Sequence, residues 1–278
     1  MLRIVHLSDP HFSDLHFTPQ LFKTKRWLGM LNLFLFRQKR YATSHLEDLP
    51  TFLQTLEADH ICITGDFSSL ALDSEFAEAK NFTDKLARPF FHVPGNHDYY
   101  TKQSEVKRTY YNYFPALGLE KHRIEKHALG YGWWWIGLDC ARANSLVYSN
   151  GRFYQEMDQR LKDALSEIPS GDRVIVGNHF PLYPAGRPKH DLERGDKLLE
   201  ILLHYPSVKL YLHGHDHSPY IRERQLLALN AGSCARTKAG SFYVLDLHTS
   251  HCHLKRYAYT PNHRPFHWVV DLERTLSY

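Results

Sequence analysis

Five short apolar runs in this chain end in the same kinds of polar residue, and this recurrence limits the fold more than any other feature. The runs begin at Leu2, His60, Pro89, Arg173 and Lys209, and each passes into a turn that carries Asp, His or Asn. Short apolar runs bounded by turn residues are typical of strands that are buried on both faces. Because the carboxyl ends of such strands meet at one edge of an open α/β sheet, we expect these polar residues to converge there.

The turn Gly95-Asn96-His97-Asp98 shows what the pattern offers chemically. Its glycine allows the backbone to turn sharply after the strand. Asn96 supplies an amide oxygen, His97 a ring that titrates near neutral pH, and Asp98 a carboxylate able to orient that ring. Taken alone, the turn fits a solvated strand end better than a site. Its recurrence at the ends of the other runs favours a site.

The converging side chains are carboxylates, imidazoles and an amide, without a thiolate. These groups are ligands of hard or borderline divalent metals, and we expect manganese, with iron or zinc as alternatives. The set contains more groups than one ion needs, so it predicts two divalent ions that share a bridging carboxylate. Two-metal sites of this kind serve in-line displacement at phosphorus.

Five motif blocks carry these residues, namely Asp9-x-His11, Gly65-Asp66, Gly95-Asn96-His97-Asp98, His179 and Gly214-His215-x-His217. In order and approximate spacing they resemble the calcineurin-like metallophosphoesterase superfamily, from residue 2 to about residue 247. The resemblance implies an α/β fold, a four-layer α-β-β-α sandwich with two mixed β-sheets. It also implies a single domain over residues 1–278.

The resemblance implies a role for each site residue. Asp66 would bridge the two ions, and His97 would be the catalytic histidine that binds neither ion. The residues implied for the first ion are Asp9, His11, Asp66 and His217. The residues implied for the second ion are Asp66, Asn96, His179 and His215.

The residues that follow Asp66 depart from one branch of the superfamily. The protein-phosphatase branch has a second Asp and an Arg after its Gly-Asp block, whereas this chain has Phe67-Ser68-Ser69. The departure argues against a phosphoprotein phosphatase. It favours the branch of bacterial phosphodiesterases and nucleotide pyrophosphatases.

A basic and apolar segment at about residues 15–41 resembles the superfamily least, and we expect it to be a helical insertion. Its apolar run at 27–36 is flanked by Lys and Arg on both sides. The run is too short to span a bilayer, but such a helix could lie at a membrane interface or line a groove for an acyl chain. The groove would be lined by Trp27, Leu31, Phe34 and Leu35. The alternative is a helix that packs on the sandwich with its cations in water.

A polar loop after the tryptophan-rich run at 133–138 holds Arg142 and Asn144, and Arg152 follows. The superfamily has this loop near its metals, so these three residues are candidates for binding substrate phosphate, which guanidinium groups grip in a bidentate fork. The alternative is that they are exposed to solvent. A proline-rich loop at 181–188 is expected to form part of the pocket wall.

Composition restricts the partners and the location. The formal net charge of +4 is too small to imply nucleic-acid binding, so we expect a small phosphorylated substrate. The four cysteines lack paired metal spacing and favour reduced thiols in the cytoplasm. Met1 leads directly into the first strand, without room for a signal peptide, and no apolar run has the length of a membrane span. We expect a cytoplasmic protein, with peripheral contact to the inner membrane face through residues 15–41 as an open alternative.

These observations predict a phosphohydrolase that cleaves a phosphodiester or pyrophosphate bond by a metal-activated hydroxide, with His97 protonating the leaving oxygen or stabilising its charge. The basic and apolar segment favours a nucleotide-linked lipid, and the chain is similar to the lipid A pathway enzymes that cleave UDP-2,3-diacylglucosamine. A cyclic nucleotide is the alternative substrate within the same chemistry. A non-catalytic scaffold with the same fold is the alternative from a different class, and the intact set of ligand types argues against it.

Overall fold

Two mixed β-sheets of six strands each organise the chain. The computed structural model describes residues 1–14, 25–32, 44–145, 147–263 and 265–278. Within these residues the strands are β1 (Leu2–Leu7), β2 (His60–Ile63), β3 (Phe90–His92), β4 (Ile124–Gly130), β5 (Trp133–Leu138), β6 (Arg173–Gly177), β7 (Val208–His213), β8 (Tyr220–Glu223), β9 (Leu227–Asn230), β10 (Ser241–Leu247), β11 (His251–Tyr259) and β12 (Trp268–Ser277). The helices are α1 (Arg26–Asn32), α2 (Ser44–Glu47), α3 (Leu49–Gln54), α4 (Asp73–Asp84), α5 (Lys102–Val106), α6 (Thr109–Tyr113), α7 (Leu117–His122), α8 (Met157–Ser166) and α9 (Gly195–His204).

The first sheet has the strand order β12-β11-β10-β1-β2-β3. Strands β1, β2 and β3 run parallel, and the register pairs Leu7 with Ile63 and Ile63 with His92. Strands β10, β11 and β12 form an antiparallel half of the sheet. The three parallel strands therefore end at the same edge, where the turns that follow them can meet.

The second sheet has the strand order β4-β5-β6-β7-β9-β8. Its central strands β5, β6, β7 and β9 run parallel, and β4 and β8 are antiparallel edge strands. Helix α8 lies between β5 and β6 in the chain, and α9 lies between β6 and β7, which makes βαβ units. Helix α8 buries Met157, Leu161 and Leu165, which are spaced by four residues and so share one helical face.

The two sheets contact each other through a shared hydrophobic core. The ring centroids of Phe91 in β3 and Trp135 in β5 are 6.1 Å apart. Gly177 in β6 makes room for the indole, since a Cβ atom there would lie 1.9 Å from Trp135. The predicted α/β sandwich of two mixed sheets is confirmed.

The segment expected at about residues 15–41 is described only in part, as helix α1. Residues 15–24 and 33–41 lie outside the described residues, and these include Phe34 and Leu35 of the predicted acyl-chain groove. Of the helices in the described part of the chain, none has both the length and the apolar character that crossing a membrane requires.

One face of helix α1 packs on the protein. Met30 is fully buried against Leu70, and Tyr100 packs against the same pair. Trp27 and Leu31, in contrast, are 41% and 44% exposed. The described part of the segment is therefore an amphipathic helix seated on the loop that follows β2.

Candidate metal centre

The turns that follow the central strands of both sheets come together in one place. Asp9 and Asp66 follow β1 and β2, and His179 and His215 follow β6 and β7. The backbone amide of His215 donates to Oδ2 of Asp9 over 3.1 Å, which ties a turn of the second sheet to a turn of the first. The convergence expected from the strand ends is therefore present.

Five residues of these turns adopt a left-handed backbone conformation, which is uncommon outside glycine. The φ angle is 52° at Asp9, 48° at His11, 55° at Asp66, 73° at His215 and 55° at His217. Such conformations cost about 1–3 kcal/mol each and persist where the surrounding structure fixes them, often at functional sites. Backbone strain thus concentrates on residues that the motifs selected.

Two glycines allow the turns to approach one another closely. A Cβ atom at Gly95 would lie 2.2 Å from Oδ1 of Asp66, and a Cβ atom at Gly214 would lie 2.2 Å from Oδ2 of Asp9. Any side chain at either position would displace one of the two carboxylates. Glycine is therefore required here by close approach.

Four of the predicted ligands form one compact group in which all ligand atoms lie within 4.8 Å of one another, namely Asp9, His11, Asp66 and His217. Nε2 of His217 is 3.0 Å from Oδ1 of Asp9, and Nε2 of His11 is 3.6 Å from Oδ2 of Asp66. The Nε2 atoms of the two histidines are 2.9 Å apart. Two imidazoles and two carboxylates at these distances can bind one divalent ion.

The other predicted ligands gather around the same carboxylate. Nε2 of His179 is 3.3 Å from Oδ2 of Asp66, and the ring centroids of His179 and His215 are 5.1 Å apart. Asn96 lines the same cavity as Asp66 and His215. Asp66 therefore belongs to both groups, as a carboxylate that bridges two ions must.

Unsatisfied buried atoms show that this donor set fits metal ions. Within the described residues, four buried ligand atoms make no hydrogen bond, although imidazole nitrogens lie 3.0 Å from Asp9 Oδ1 and 3.3 Å from Asp66 Oδ2. These atoms are Asp9 Oδ1, Asp66 Oδ2, Asn96 Oδ1 and His179 Nε2. Buried polar atoms are hydrogen-bonded in the large majority of cases, so four exceptions in one site call for another kind of partner. Oxygen and imidazole donors without a thiolate suit manganese, iron or zinc.

Hydrogen bonds at the far ring nitrogens orient two of the histidines. Nδ1 of His179 is 2.7 Å from the Thr64 carbonyl oxygen, and Nε2 of His215 is 3.1 Å from the His190 carbonyl oxygen. Because a carbonyl oxygen only accepts, each of these nitrogens carries a proton, and the opposite nitrogen is the one available as a ligand. Histidines that bind metals typically have such support.

The charges of the site are balanced between acids and histidines. Burial disfavours the ionised form of Asp66, but His179 and His97 outweigh burial and hold its pKa well below the usual value. Burial is outweighed in the same way at Asp9, where His217 and His179 hold the pKa well below the usual value. Burial lowers the pKa of His179, but Asp66 and Asp9 raise it to about 9. Both carboxylates are therefore ionised at neutral pH, and an ion bound at His179 would displace a proton.

His97 lies beside these groups with its ring held in place. Its Nδ1 atom is 2.6 Å from the Ser69 carbonyl oxygen, so Nδ1 carries a proton and Nε2 is the ring atom for proton exchange with a substrate. The ring packs edge-on against His11 at 4.9 Å and stacks with Tyr100 at 5.9 Å between centroids. The backbone amide of His97 donates to Oδ1 of Asp66 over 2.8 Å.

Asp98 does not orient the His97 ring, so that expectation was wrong. Its carboxylate accepts hydrogen bonds from the backbone amides of Gly95 and Ser68, each over 2.9 Å, and from Oγ of Ser68 over 3.1 Å. These donors lie in the turns themselves and satisfy the buried carboxylate. Asp98 thus joins the turn after β2 to the turn after β3, and the Ser69 carbonyl orients the ring instead.

A cavity of about 400 Å³ opens over these groups. Its wall contains Arg187 and five residues that the sequence did not point to, namely Lys25, Tyr100, Tyr148, Ser149 and His190. Arg187 belongs to the proline-rich loop at 181–188, which therefore does line the pocket. The position of Lys25 had no such signal, because it depends on how helix α1 packs.

Of the three candidate substrate residues, Asn144 is among the described lining residues of the cavity, and Arg142 and Arg152 are not. Arg142 makes a bidentate ion pair with Glu193 over 2.7 and 3.2 Å, and Nε of Arg152 is 2.7 Å from the same carboxylate. Nε of Arg142 also donates to Oδ1 of Asn144 over 3.1 Å. Arg142 therefore supports the loop that presents Asn144, whereas the Arg152 side chain is 49% exposed and pairs with Glu193 at the surface.

Comparison with known proteins gives one family match and several similar sequences. A family model described as calcineurin-like phosphoesterase matches residues 2–219. The 3',5'-cyclic adenosine monophosphate phosphodiesterase CpdA of Haemophilus influenzae is 30% identical over 165 residues, which are 58% of this chain and 55% of that protein. The protein of the same name from Escherichia coli is 27% identical over 241 residues, which are 80% of this chain and 81% of that protein. The chain thus spans about half the length of the Haemophilus relative.

Solved structures share the fold. A dimetal phosphatase from Danio rerio superposes with a TM-score of 0.74 at 14% identity, over 100% of this chain and 99% of that chain. A purple acid phosphatase from yellow lupin seeds superposes with a TM-score of 0.63 at 13% identity, over 99% of this chain and 53% of that chain. At such low identity the likeness concerns the fold alone.

Proposed function

This chain belongs to the calcineurin-like phosphoesterase family, and we propose that it is a metal-dependent hydrolase whose substrate is a 3',5'-cyclic nucleotide. The observation that supports the chemistry is the position of Asp66, whose carboxylate belongs to both groups of ligand atoms. The observation that supports the substrate class is the naming of the relatives from Haemophilus influenzae and Escherichia coli as cyclic adenosine monophosphate phosphodiesterases.

The proposal assigns the predicted ligands to two divalent ions, with manganese expected and iron or zinc as alternatives. The first ion would be held by Asp9, His11, Asp66 and His217, and the second by Asp66, Asn96, His179 and His215. When bound, two such ions stabilise negative charge on the phosphoryl oxygens and activate water for in-line attack.

His97 is proposed as the proton donor to the leaving oxygen. The Ser69 carbonyl fixes the proton on Nδ1, so Nε2 would hold the proton that is transferred. The ring lies 4.9 Å from the ring of His11, which belongs to the first group of ligands. A substrate phosphate bound by that group would therefore lie within reach of the His97 side chain.

The cavity supports a small anionic substrate. Its volume of about 400 Å³ falls in the usual range for small-molecule sites. Lys25 carries its ammonium group 4.4 Å from the centroid of the Tyr100 ring, and both residues line the cavity. We propose that Lys25 and Asn144 contact the phosphate or ribose and that Tyr100 provides a flat surface for the base.

UDP-2,3-diacylglucosamine is a weaker proposal. It depends on an apolar groove in residues 15–41, of which Phe34 and Leu35 lie outside the described residues. Trp27 and Leu31 offer exposed apolar surface on α1, which could contact an acyl chain or the inner membrane face. Leu70 is the one aliphatic side chain among the described lining residues, so the cavity itself favours a polar substrate. A cytoplasmic location remains part of the proposal, since Cys62, Cys140, Cys234 and Cys252 are buried and free.

A hydrolysis panel tests the substrate class. The metal-stripped protein is supplied with Mn²⁺ and offered cyclic AMP, UDP-2,3-diacylglucosamine and bis-p-nitrophenyl phosphate. We expect the highest kcat/KM for cyclic AMP, with AMP as product and no turnover before metal is added. A higher kcat/KM for the acylated nucleotide would replace the cyclic-nucleotide proposal, and no turnover of any substrate with Mn²⁺, Fe²⁺ or Zn²⁺ would favour a scaffold.

A further inference from the structure

We propose that Arg26 and Glu75 are positioning residues for His97, because they hold the Ser69 carbonyl that orients its ring. The inference rests on the proposed role of His97 as proton donor. It concerns the loop after β2. This loop has Phe67-Ser68-Ser69 where the protein-phosphatase branch has a second Asp and an Arg.

Two charged side chains hold the backbone directly after Ser69. Nε of Arg26 donates to the Leu70 carbonyl over 2.9 Å, and its Nη2 donates to the Ala71 carbonyl over 2.5 Å. The Glu75 carboxylate accepts from the Leu70 amide over 2.8 Å. Arg26 of helix α1 therefore holds the carbonyl groups of this loop, and Glu75 of helix α4 holds the Leu70 amide.

The held loop reaches the site directly. Besides accepting from Nδ1 of His97, Ser69 donates from its hydroxyl to the His11 carbonyl over 3.2 Å. Ala71 has a φ of 55°, so the loop adopts a conformation that the surrounding contacts must stabilise. We call the contacts of Arg26 and Glu75 with this loop the clamp. Loss of the clamp would let the Ser69 carbonyl move away from His97, and the ring could then change its orientation or its tautomer.

Helix α1 is fitted closely to the same loop. A Cβ atom at Gly29 would lie 2.5 Å from Cδ2 of Leu70 and 2.5 Å from the hydroxyl oxygen of Tyr100. Tyr100 in turn stacks with His97. The described part of the insertion thus helps to hold His97 in place. Arg26 contributes to this through its hydrogen bonds to the Leu70 and Ala71 carbonyl groups.

A plain capping role for Glu75 does not account for all of its contacts. Glu75 caps helix α4 by accepting from the Leu72 amide over 3.2 Å, as residues at the third helical position often do. It also accepts from Leu70 and, over 3.4 Å, from the amide of Asp14 near the turn after β1. The carboxylate is fully buried, and burial raises its pKa to about 7, a cost that a glutamine cap would avoid.

The test compares Glu75→Ala, which removes the acceptor of the Leu70 amide, and Arg26→Met with wild type on two substrates. Hydrolysis of cyclic AMP to AMP breaks the bond between phosphorus and the ribose 3'-oxygen, which leaves as an alkoxide and needs a proton. Hydrolysis of bis-p-nitrophenyl phosphate releases p-nitrophenolate, a stable anion that needs none. We expect kcat for cyclic AMP to fall by about tenfold, part of the roughly 10²–10⁴-fold worth of a proton donor. With bis-p-nitrophenyl phosphate kcat should stay within about twofold, with KM and metal content unchanged. Equal losses on both substrates would overturn the proposal.

A second readout does not depend on turnover. In protein loaded with diamagnetic Zn²⁺ and labelled with ¹⁵N-histidine, the His97 ring should show a protonated Nδ1 in wild type and a mixture of tautomers in both variants. Unchanged ring shifts in both variants would overturn the clamp. If the shifts change but His97→Ala affects the two substrates equally, the clamp stands and the proton-donor role of His97 fails.

Ala79→Gly is the matched control for the stability of helix α4. The residue is buried in the middle of the helix, and the change lowers the stability of the helix by about 1 kcal/mol without altering any contact to the loop. It should leave the His97 ring shifts and the ratio of the two kcat values as in wild type. A change in that ratio would mean that any loosening of α4 has the same effect, and the specific role of Glu75 would be lost.

Discussion

The floor and the wall of the cavity are built differently. The floor consists of the turns after β1, β2, β3, β6 and β7, where Asp9 and His179 have no exposed surface. The wall consists of helix α1 and long loops, where Tyr148 is 45% exposed. Floor residues are fixed by strand ends, close glycine contacts and strained backbone, whereas wall residues depend on how separate segments pack. We therefore expect the floor to carry the proposed chemistry and the wall to select the substrate.

The largest effect on metal content and kcat is expected at Asp66, in the floor. In Asp66→Ala both groups of ligands lose a member, so we expect less than one tightly bound ion per chain and a loss of at least about 10³-fold in kcat, since the ions supply several kcal/mol of charge stabilisation. Elemental analysis and kcat measured on the same sample check both. Asp84→Ala, which removes an exposed carboxylate of helix α4, is the control and should change neither. Two tightly held ions in Asp66→Ala would contradict the bridging role.

His97→Ala separates the chemistry of the floor from its metal binding. Because His97 is placed beside the ligands and outside both groups, the variant should keep its metal and lose about 10²–10⁴-fold in kcat on cyclic AMP. Metal content and single-turnover rates measure the two properties. Loss of metal together with activity would make His97 a ligand instead.

A smaller effect, on KM, is expected from the wall. Lys25→Met should raise KM for cyclic AMP by about 10- to 100-fold, the worth of about 1.5–3 kcal/mol for a hydrogen bond to a charged group, with metal content unchanged. Lys121→Met, an exposed lysine of helix α7, is the control. A fall in kcat without a rise in KM would remove Lys25 from substrate binding.

The pH dependence of KM gives the same residue a second test. Burial lowers the pKa of Lys25 to about 8, so the ammonium group is charged below that pH and neutral above it. KM for an anionic substrate should therefore rise in wild type as the pH increases from about 7 to 9. In Lys25→Met this rise should be absent, and an equal rise in both proteins would assign it to another group.

The smallest effect is expected at Leu31, on the face of helix α1 that is exposed to solvent. This side chain is 44% exposed on helix α1, so Leu31→Ser should change the free energy of unfolding by no more than about 0.5 kcal/mol and leave KM for cyclic AMP unchanged. Thermal unfolding and steady-state kinetics measure both. A sharp rise in KM for UDP-2,3-diacylglucosamine alone would restore the acyl-chain groove.

The same contrast explains what the sequence could predict. Asp9, Asp66 and the other floor residues follow apolar runs, and parallel strands carry such residues to one edge, so the convergence could be predicted from these runs. The two-sheet sandwich was predicted from the resemblance of the motifs to the superfamily. The exact partners could not, because Asp98 and Ser69 are both near His97 in the fold and only packing decides which one faces its ring. Lys25 was unpredictable for a similar reason, since its place depends on the seating of α1 against Leu70.

The most direct test of the account is a crystal structure of the Mn²⁺-loaded protein with anomalous scattering measured at the manganese edge. The account predicts two anomalous peaks that share the Asp66 carboxylate, one contacting His217 and the other contacting His179. A single peak, or two peaks that do not share Asp66, would contradict it.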